Sequence, residues 1–155
     1  MSDKSLRVGD AAPDFTLSDQ EGKAVSLREL LASGCLVLYF YPKDDTPGCT
    51  TQACGIRDAW GELAKKAAVF GVSVDSVKKH RKFIDKYSLP FPLISDEDQS
   101  IVKAYGVWGE KSFMGRLFLG TERSTFVIDE EGRITAIFRK VKPAAHVDLL
   151  LEALG

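Results

Sequence analysis

The chain has 155 residues, enough for one domain with a core of its own, so a single domain spanning 1–155 is expected. Its 45% hydrophobic and 28% charged content is that of a water-soluble protein, and 22 acidic against 21 basic residues leave a net charge of -1, which excludes the basic footprint of a nucleic-acid binder. The start, MSDKSLRVGD, lacks a signal-peptide core and no later run reaches membrane-span length, so a cytoplasmic protein with neither nucleic acid nor membrane as partner is expected.

In chain order, DQEGK (19–23) is the first turn signal and reads as the loop of an N-terminal hairpin. CLVLYFY (35–41) has no alternation, as expected for a central strand covered on both faces, and AVFGVSV (68–74) is a second such strand. Between them Ala53, Ile56, Trp60 and Leu63 recur at steps of three and four, the pattern of one helix with one buried face. Strand, helix and strand then form a right-handed crossover. Val77, His80, Ile84 and Tyr87 mark a further helix behind the N-cap Ser76, closed by Pro90 and Pro92. FPLISD is a short strand, and DQSIVKAYG a short helix stopped by Gly106. VWGEKSFMGRLFLGTER is a long segment with no assigned element, before a hairpin of STFVID and RITAIFRKV around the turn DEEGR (129–133). The chain closes with a helix that places Val147, Leu150, Leu151 and Leu154 on one face. A β-α-β half followed by a β-β-α half predicts an α/β protein, a central mixed sheet with helices on both faces. This order resembles the thioredoxin fold, with the first hairpin as an extension.

The three cysteines are Cys35, Cys49 and Cys54. In a reducing compartment such a set points to transient, catalytic or sensing thiol chemistry rather than a static disulfide framework. In YPKDDTPGCTTQACGIRD (41–58), extending the first helix backwards puts Thr46 at the N-cap, Pro47 at the first helical position and Cys49 at the third. Backbone N–H groups in that turn lack helical partners, and with the positive helix end they favour a thiolate. A lone cysteine there could equally pack as a small hydrophobe. Cys54 tips the balance. On a regular helix a spacing of five puts the two Cα atoms roughly 8.6 Å apart, beyond the ~7 Å that a disulfide spans. Two separate thiols are therefore compatible with the folded helix, and a bridge requires its first turns to unwind. An oxidant suits that order: a thiolate attacking a peroxide becomes a sulfenic acid, which a second thiol condenses into a disulfide. Zinc is less persuasive, because Cys-x4-Cys lacks a second ligand pair and His80 and His146 stand far off in sequence. No CxxC motif exists.

FYPKDDTPGCTTQACGIRD resembles the active-site segment of the peroxiredoxins, whose Pro-x-x-x-Thr-x-x-Cys signature is present as Pro42, Thr46 and Cys49. The added Cys54 is similar to the peroxiredoxin Q, or bacterioferritin-comigratory, subgroup, and the likeness continues through SVDS, PLISD, YGVWGEKSFMG and RSTFVID. The resemblance implies Cys49 as peroxidatic and Cys54 as resolving cysteine, Thr46 as the hydroxyl that orients peroxide, Pro42 as a shield and Arg123 as the active-site arginine. An arginine can hold a thiolate and donate to peroxide oxygens as charge moves onto the leaving one. By pattern alone Arg123 would read as a strand-edge charge. The implied activity is a thiol-dependent peroxidase of antioxidant defence, reducing hydrogen peroxide and organic hydroperoxides through a Cys49 sulfenic acid and a Cys49–Cys54 disulfide. Thioredoxin is the implied reductant, no cofactor or metal is needed, and a monomer is expected. A redox sensor that oxidises once, or a metal-binding module, are the alternatives.

Other residues are read as structural. Cys35 is assigned to the core, His80 to a hydrogen-bonded boundary position, and KKHRK (78–82) to a solvated helix face. Asp44 and Asp45 are taken as exposed, screened loop carboxylates. Trp108, Phe113, Met114 and Phe118 are read as packing that pins the long segment, rather than the entrance for larger hydroperoxides that they could also line.

Overall fold

A computed structural model describes residues 6–155; residues 1–5 of the expected domain and the side chain of Phe113 lie outside the described part. Thr16–Asp19 (β1) and Ala24–Ser26 (β2) form the N-terminal hairpin. Its turn is made by Asp19, whose Oδ1 accepts from the N–H groups of Glu21 and Lys23, with Gly22 at φ 77°. That left-handed conformation suits a residue without Cβ. The later turn is built the same way: Asp129 Oδ1 accepts from Glu131 and Arg133, and Gly132 has φ 86°. Leu27–Leu31 (α1) starts with a reciprocal capping box between Ser26 and Glu29.

The central strands are Leu36–Phe40 (β3), Ala68–Ser73 (β4) and Leu93–Ser95 (β5), paired in parallel. Pro47–Asp58 (α2) and Trp60–Lys66 (α3) connect the first two, and Val77–Tyr87 (α4) connects the next. Ser100–Ala104 (α5) follows, then a ribbon of Trp108–Phe113 (β6) and Arg116–Thr121 (β7). Ser124–Ile128 (β8) joins β3 antiparallel and carries Ile134–Phe138 (β9) at its side. A 3-10 turn at Pro143–Ala145 leads into His146–Leu154 (α6). The seven-stranded sheet runs β2-β1-β5-β4-β3-β8-β9, a mixed sheet with β3 near its centre. No helix among the described residues is long and apolar enough to cross a membrane.

Alternation along β3 divides the core. Leu36, Leu38 and Phe40 face one side with Leu30 of α1 and Val102 of α5. Val37 and Tyr39 face the other, where Ile56 of α2, Phe83 of α4 and Leu150 of α6 cover them. Each such side chain, once fully buried, contributes about 1.5–3 kcal/mol. The unbroken apolar run of β3 is thus the signature of a strand covered on both faces.

Three local expectations change. The single helix predicted across Ala53 to Leu63 is two, because Ala59 (φ -100°, ψ 11°) leaves helical geometry between α2 and α3. Ala53, Ile56 and Leu63 remain fully buried, so the periodic stripe survives the bend, which brings Trp60 against Phe91 at 5.8 Å between ring centroids. The unassigned segment is a two-stranded ribbon turned by Met114 and Gly115, both at positive φ (54° and 79°). Such turns favour Asn-Gly or Gly-Gly, and Met-Gly gives no such signal. Trp108 packs half-buried against the core as expected, whereas Met114 is 85% exposed and Phe118 is exposed too, with Leu117 and Leu119 beside it. Cys35 is half-buried rather than in the core, and burial with nearby Asp129 pushes its thiol pKa up.

Candidate active site

β3 delivers the chain to Tyr41 and Pro42, and α2 begins five residues after Pro42 with Thr46 at its N-cap and Pro47 first in the helix. Cys49 is third, so its sulfur sits over backbone N–H groups without helical acceptors. It is only 2% exposed, and Arg123 Nη1 donates to its Sγ across 3.3 Å. The sheet order explains the encounter: β8 lies directly beside β3, and Arg123, the residue before β8, emerges next to the helix that follows β3. Val141 N–H donates to the Arg123 carbonyl and fixes its backbone.

Gly48 completes the contact by being small. A Cβ at this position would lie 3.0 Å from Arg123 Nη2 and 3.3 Å from Pro143 Cγ, so the guanidinium rests against the first turn of the helix because no side chain is there. Arg123 Nη1 also donates to Gln52 Oε1 at 2.8 Å. Behind it Gln52 Nε2 meets His146 Nδ1 at 3.0 Å, and His146 Nε2 meets Thr125 Oγ1 at 2.8 Å. Burial, with Arg123 beside it, pushes the His146 pKa down to about 4, so the ring is neutral at physiological pH.

Thr46 does not cap the helix with its side chain; Oγ1 donates instead to the Lys43 carbonyl at 2.9 Å, and its lone pairs stay available as acceptors. Pro42 is half-buried at the start of the same loop. The loop is anchored from beneath by Asp44, which is buried and not exposed as expected. Tyr41 Oη donates to Asp44 Oδ1 at 2.6 Å, Asp44 N–H donates to Asp75 Oδ2 at 2.8 Å, and His80 Nδ1 contacts Asp44 Oδ2 at 2.6 Å. Burial forces this pairing, since an unpaired carboxylate there would be costly. Asp44, Asp75 and His80 bring potential metal-ligating atoms within 4.8 Å of one another, yet the His80 nitrogens already meet Asp44 and the Ile94 carbonyl, and Asp75 Oδ2 also accepts from Ser73. Asp45 is exposed, and Lys86 and Tyr87 hold its carboxylate below the usual range.

Cys54 lies within α2, partly exposed, and all three cysteines are free thiols. α2 is continuous from Pro47 to Asp58, so the structure shows the separated arrangement that the spacing permits. Arg123 also lines an open cleft of about 480 Å³, together with Trp108, Lys111, Gly120 and Glu122. Lys111 Nζ donates to the Thr121 carbonyl, and burial and Arg123 push the Lys111 pKa down.

Of the candidate residues, Cys49 and Arg123 are in direct contact, Thr46 stands one turn before the sulfur, and Pro42 and Cys54 flank it along the chain. Gln52 and His146 were not foreseen as part of the site. Gln52 had a usable signal, since residues three apart share a helix face and Gln52 follows Cys49 by three. His146 had none.

The model of the AhpC/TSA family matches residues 8–137. A putative peroxiredoxin bcp from Coxiella burnetii is 51% identical over 144 residues, 92% of this chain and 95% of that protein. Peroxiredoxin Bcp of Escherichia coli K12 is 47% identical over 150 residues, 96% of each. Among solved structures, a Xanthomonas campestris bacterioferritin comigratory protein studied for alkyl peroxide reduction superposes with a TM-score of 0.86 at 43% identity, covering 96% of this chain and 95% of that one.

Proposed function

We propose that this chain, which belongs to the AhpC/TSA family and within it to the peroxiredoxins of the Q or bacterioferritin-comigratory type, uses Cys49 as its peroxidatic and Cys54 as its resolving cysteine. It is a thiol peroxidase. The observation that carries the residue assignment is the 3.3 Å contact between Arg123 Nη1 and Cys49 Sγ at the N-terminus of α2. A thiolate there attacks one peroxide oxygen; the S–O bond forms as the O–O bond breaks, and the departing oxygen leaves as water or alcohol after taking a proton. Arg123 stabilises negative charge on the sulfur and then on the leaving oxygen. Thr46 Oγ1, with lone pairs free, accepts from the peroxide O–H and aims it, and Pro42 shields the loop side.

Cys49 sulfenic acid then condenses with the Cys54 thiol, forming the S–S bond and releasing water. Because both cysteines lie in one intact helix, this step needs α2 to open from its first turn. An external dithiol of thioredoxin type reduces the bridge by thiol–disulfide exchange and is itself oxidised. Hydrogen peroxide and organic hydroperoxides are the substrates, with no cofactor. A monomer of one domain, residues 1–155, suffices because both cysteines belong to one chain, and a cytoplasmic location suits three free thiols.

Peroxide consumption coupled to thioredoxin and its reductase tests the proposal. Cys49→Ser should abolish turnover, while Cys54→Ser should keep the first reaction but accumulate Cys49 sulfenic or overoxidised acid on intact-mass analysis. Wild-type protein that oxidises once and never turns over would instead be a sensor.

A further inference from the structure

From the chain of polar contacts behind Arg123 we infer that His146 is a positioning residue: through Gln52 it fixes which end of an amide faces Arg123, and so aims the guanidinium at Cys49. The inference rests on the roles given to Cys49 and Arg123 above. An arginine has donors only, so the atom facing Nη1 at 2.8 Å must be the Gln52 carbonyl oxygen Oε1. This leaves the Gln52 NH2 group facing His146 Nδ1 at 3.0 Å, and because NH2 can only donate, Nδ1 carries no proton. The ring proton then sits on Nε2 and is donated to Thr125 Oγ1 at 2.8 Å.

Every donor and acceptor in this series has one compatible arrangement. Gln52, His146 and Thr125 are each at most 1% exposed, so water cannot replace a lost partner. With a proton on Nδ1, two donors would oppose each other. The amide would turn over, present NH2 to Arg123, and release the guanidinium from its acceptor beside the sulfur. The groups facing the His146 ring are Gln52 from α2, Thr125 and, beyond Gln52, Arg123 from the β8 side, and Tyr39 from β3, whose ring centroid lies 5.4 Å away. No carboxylate is paired with the ring among the described residues. Burial and the Arg123 charge both disfavour a second ring proton, so the polarity holds at neutral pH. Arg123, the residue before β8, and Thr125, the second residue of that strand, are two apart and reach the same side, where His146 meets Thr125 directly and Arg123 through Gln52.

The test compares His146→Leu, His146→Asn and Thr125→Val, each checked for folding by thermal melting, by kcat/KM for hydrogen peroxide and by iodoacetamide alkylation of Cys49 in mildly acidic buffer. His146→Leu leaves the Gln52 NH2 unpartnered, and both rates should fall by about tenfold or more. His146→Asn offers an Oδ1 acceptor where Nδ1 stood and should restore most of both; equal loss in the two variants overturns the inference. Thr125→Val removes the acceptor for Nε2–H, frees the ring proton to move to Nδ1, and should lower both rates by a smaller factor. Wild-type rates in folded His146→Leu or in Thr125→Val also overturn it, and if His146→Leu does not fold, Thr125→Val decides. Cys49→Ser is measured alongside: peroxide consumption persisting there sinks the peroxidatic role of Cys49, whatever His146 does.

Discussion

Gly48 has no side chain to offer chemistry, yet the contact between Arg123 and Cys49 depends on that absence. In Gly48→Ala the new Cβ would crowd Arg123 Nη2 at 3.0 Å, and the guanidinium, the flexible partner, would shift by a few tenths of an ångström. The expected result is a roughly tenfold lower kcat/KM for hydrogen peroxide with a melting temperature close to wild type; an unchanged rate would show that the arginine tolerates displacement. Legibility at single residues followed locality. Thr46, Pro47 and Cys49 could be placed on α2 from neighbouring letters alone, because helix starts are encoded within a few residues. Arg123 lies 74 residues from Cys49, and only the family resemblance singled it out. Asp44 was misplaced because nothing in its local sequence announces that Tyr41, Asp75 and His80 close over it.

On the roles proposed for Cys49 and Cys54, the helix that carries both must hold Cys49 in place and also release it. Gly55, next to Cys54 and inside α2, bears on the second task. A Cβ there would meet Val147 Cγ2 at 3.5 Å, an ordinary contact, so packing does not demand glycine. Glycine in a helix interior costs about 1 kcal/mol relative to alanine. If opening of α2 limits resolution, Gly55→Ala should slow Cys49–Cys54 disulfide formation roughly fivefold and lengthen the life of the sulfenic acid, without altering the first reaction with peroxide. Stopped-flow fluorescence with intact-mass sampling reads both phases, and an unaltered second phase would mean that opening is not limiting. Elements with a strong apolar period were legible: β3, β4, α4 and α6 lie where their patterns put them. The break at Ala59 was hidden because Ala53, Ile56 and Leu63 stay on one buried face across it, and the β6–β7 ribbon because Leu117, Phe118 and Leu119, consecutive along its second strand, are all exposed and show no alternation.

For the molecule as a whole, His146 links the site to acid stability. Its pKa falls from 6.5 to about 4 on folding, so between those values the unfolded chain binds more protons. The stability contributed by the neutral buried ring is therefore complete above about pH 6.5 and is lost as pH falls through about 4, on the order of 3 kcal/mol in all. Asp96, whose pKa burial raises, opposes this, since its protonation favours the folded state as pH drops. Urea midpoints measured from neutrality down to about pH 4 should decline in wild type and decline less in His146→Leu; parallel curves would show that His146 is not the group responsible. The layered α/β architecture, the helix start that presents Cys49 and the spacing that keeps Cys54 apart from it were all legible in the letters, because period, capping and helix rise act over a few residues. That Arg123 touches the sulfur, that Gln52 and His146 stand behind it and that Asp44 is buried came from the folded chain. Those meetings join β3, β8, α2, α4 and α6 across long stretches of chain, where pairing is set by how the sheet and its two covering layers close and no local pattern records the partner.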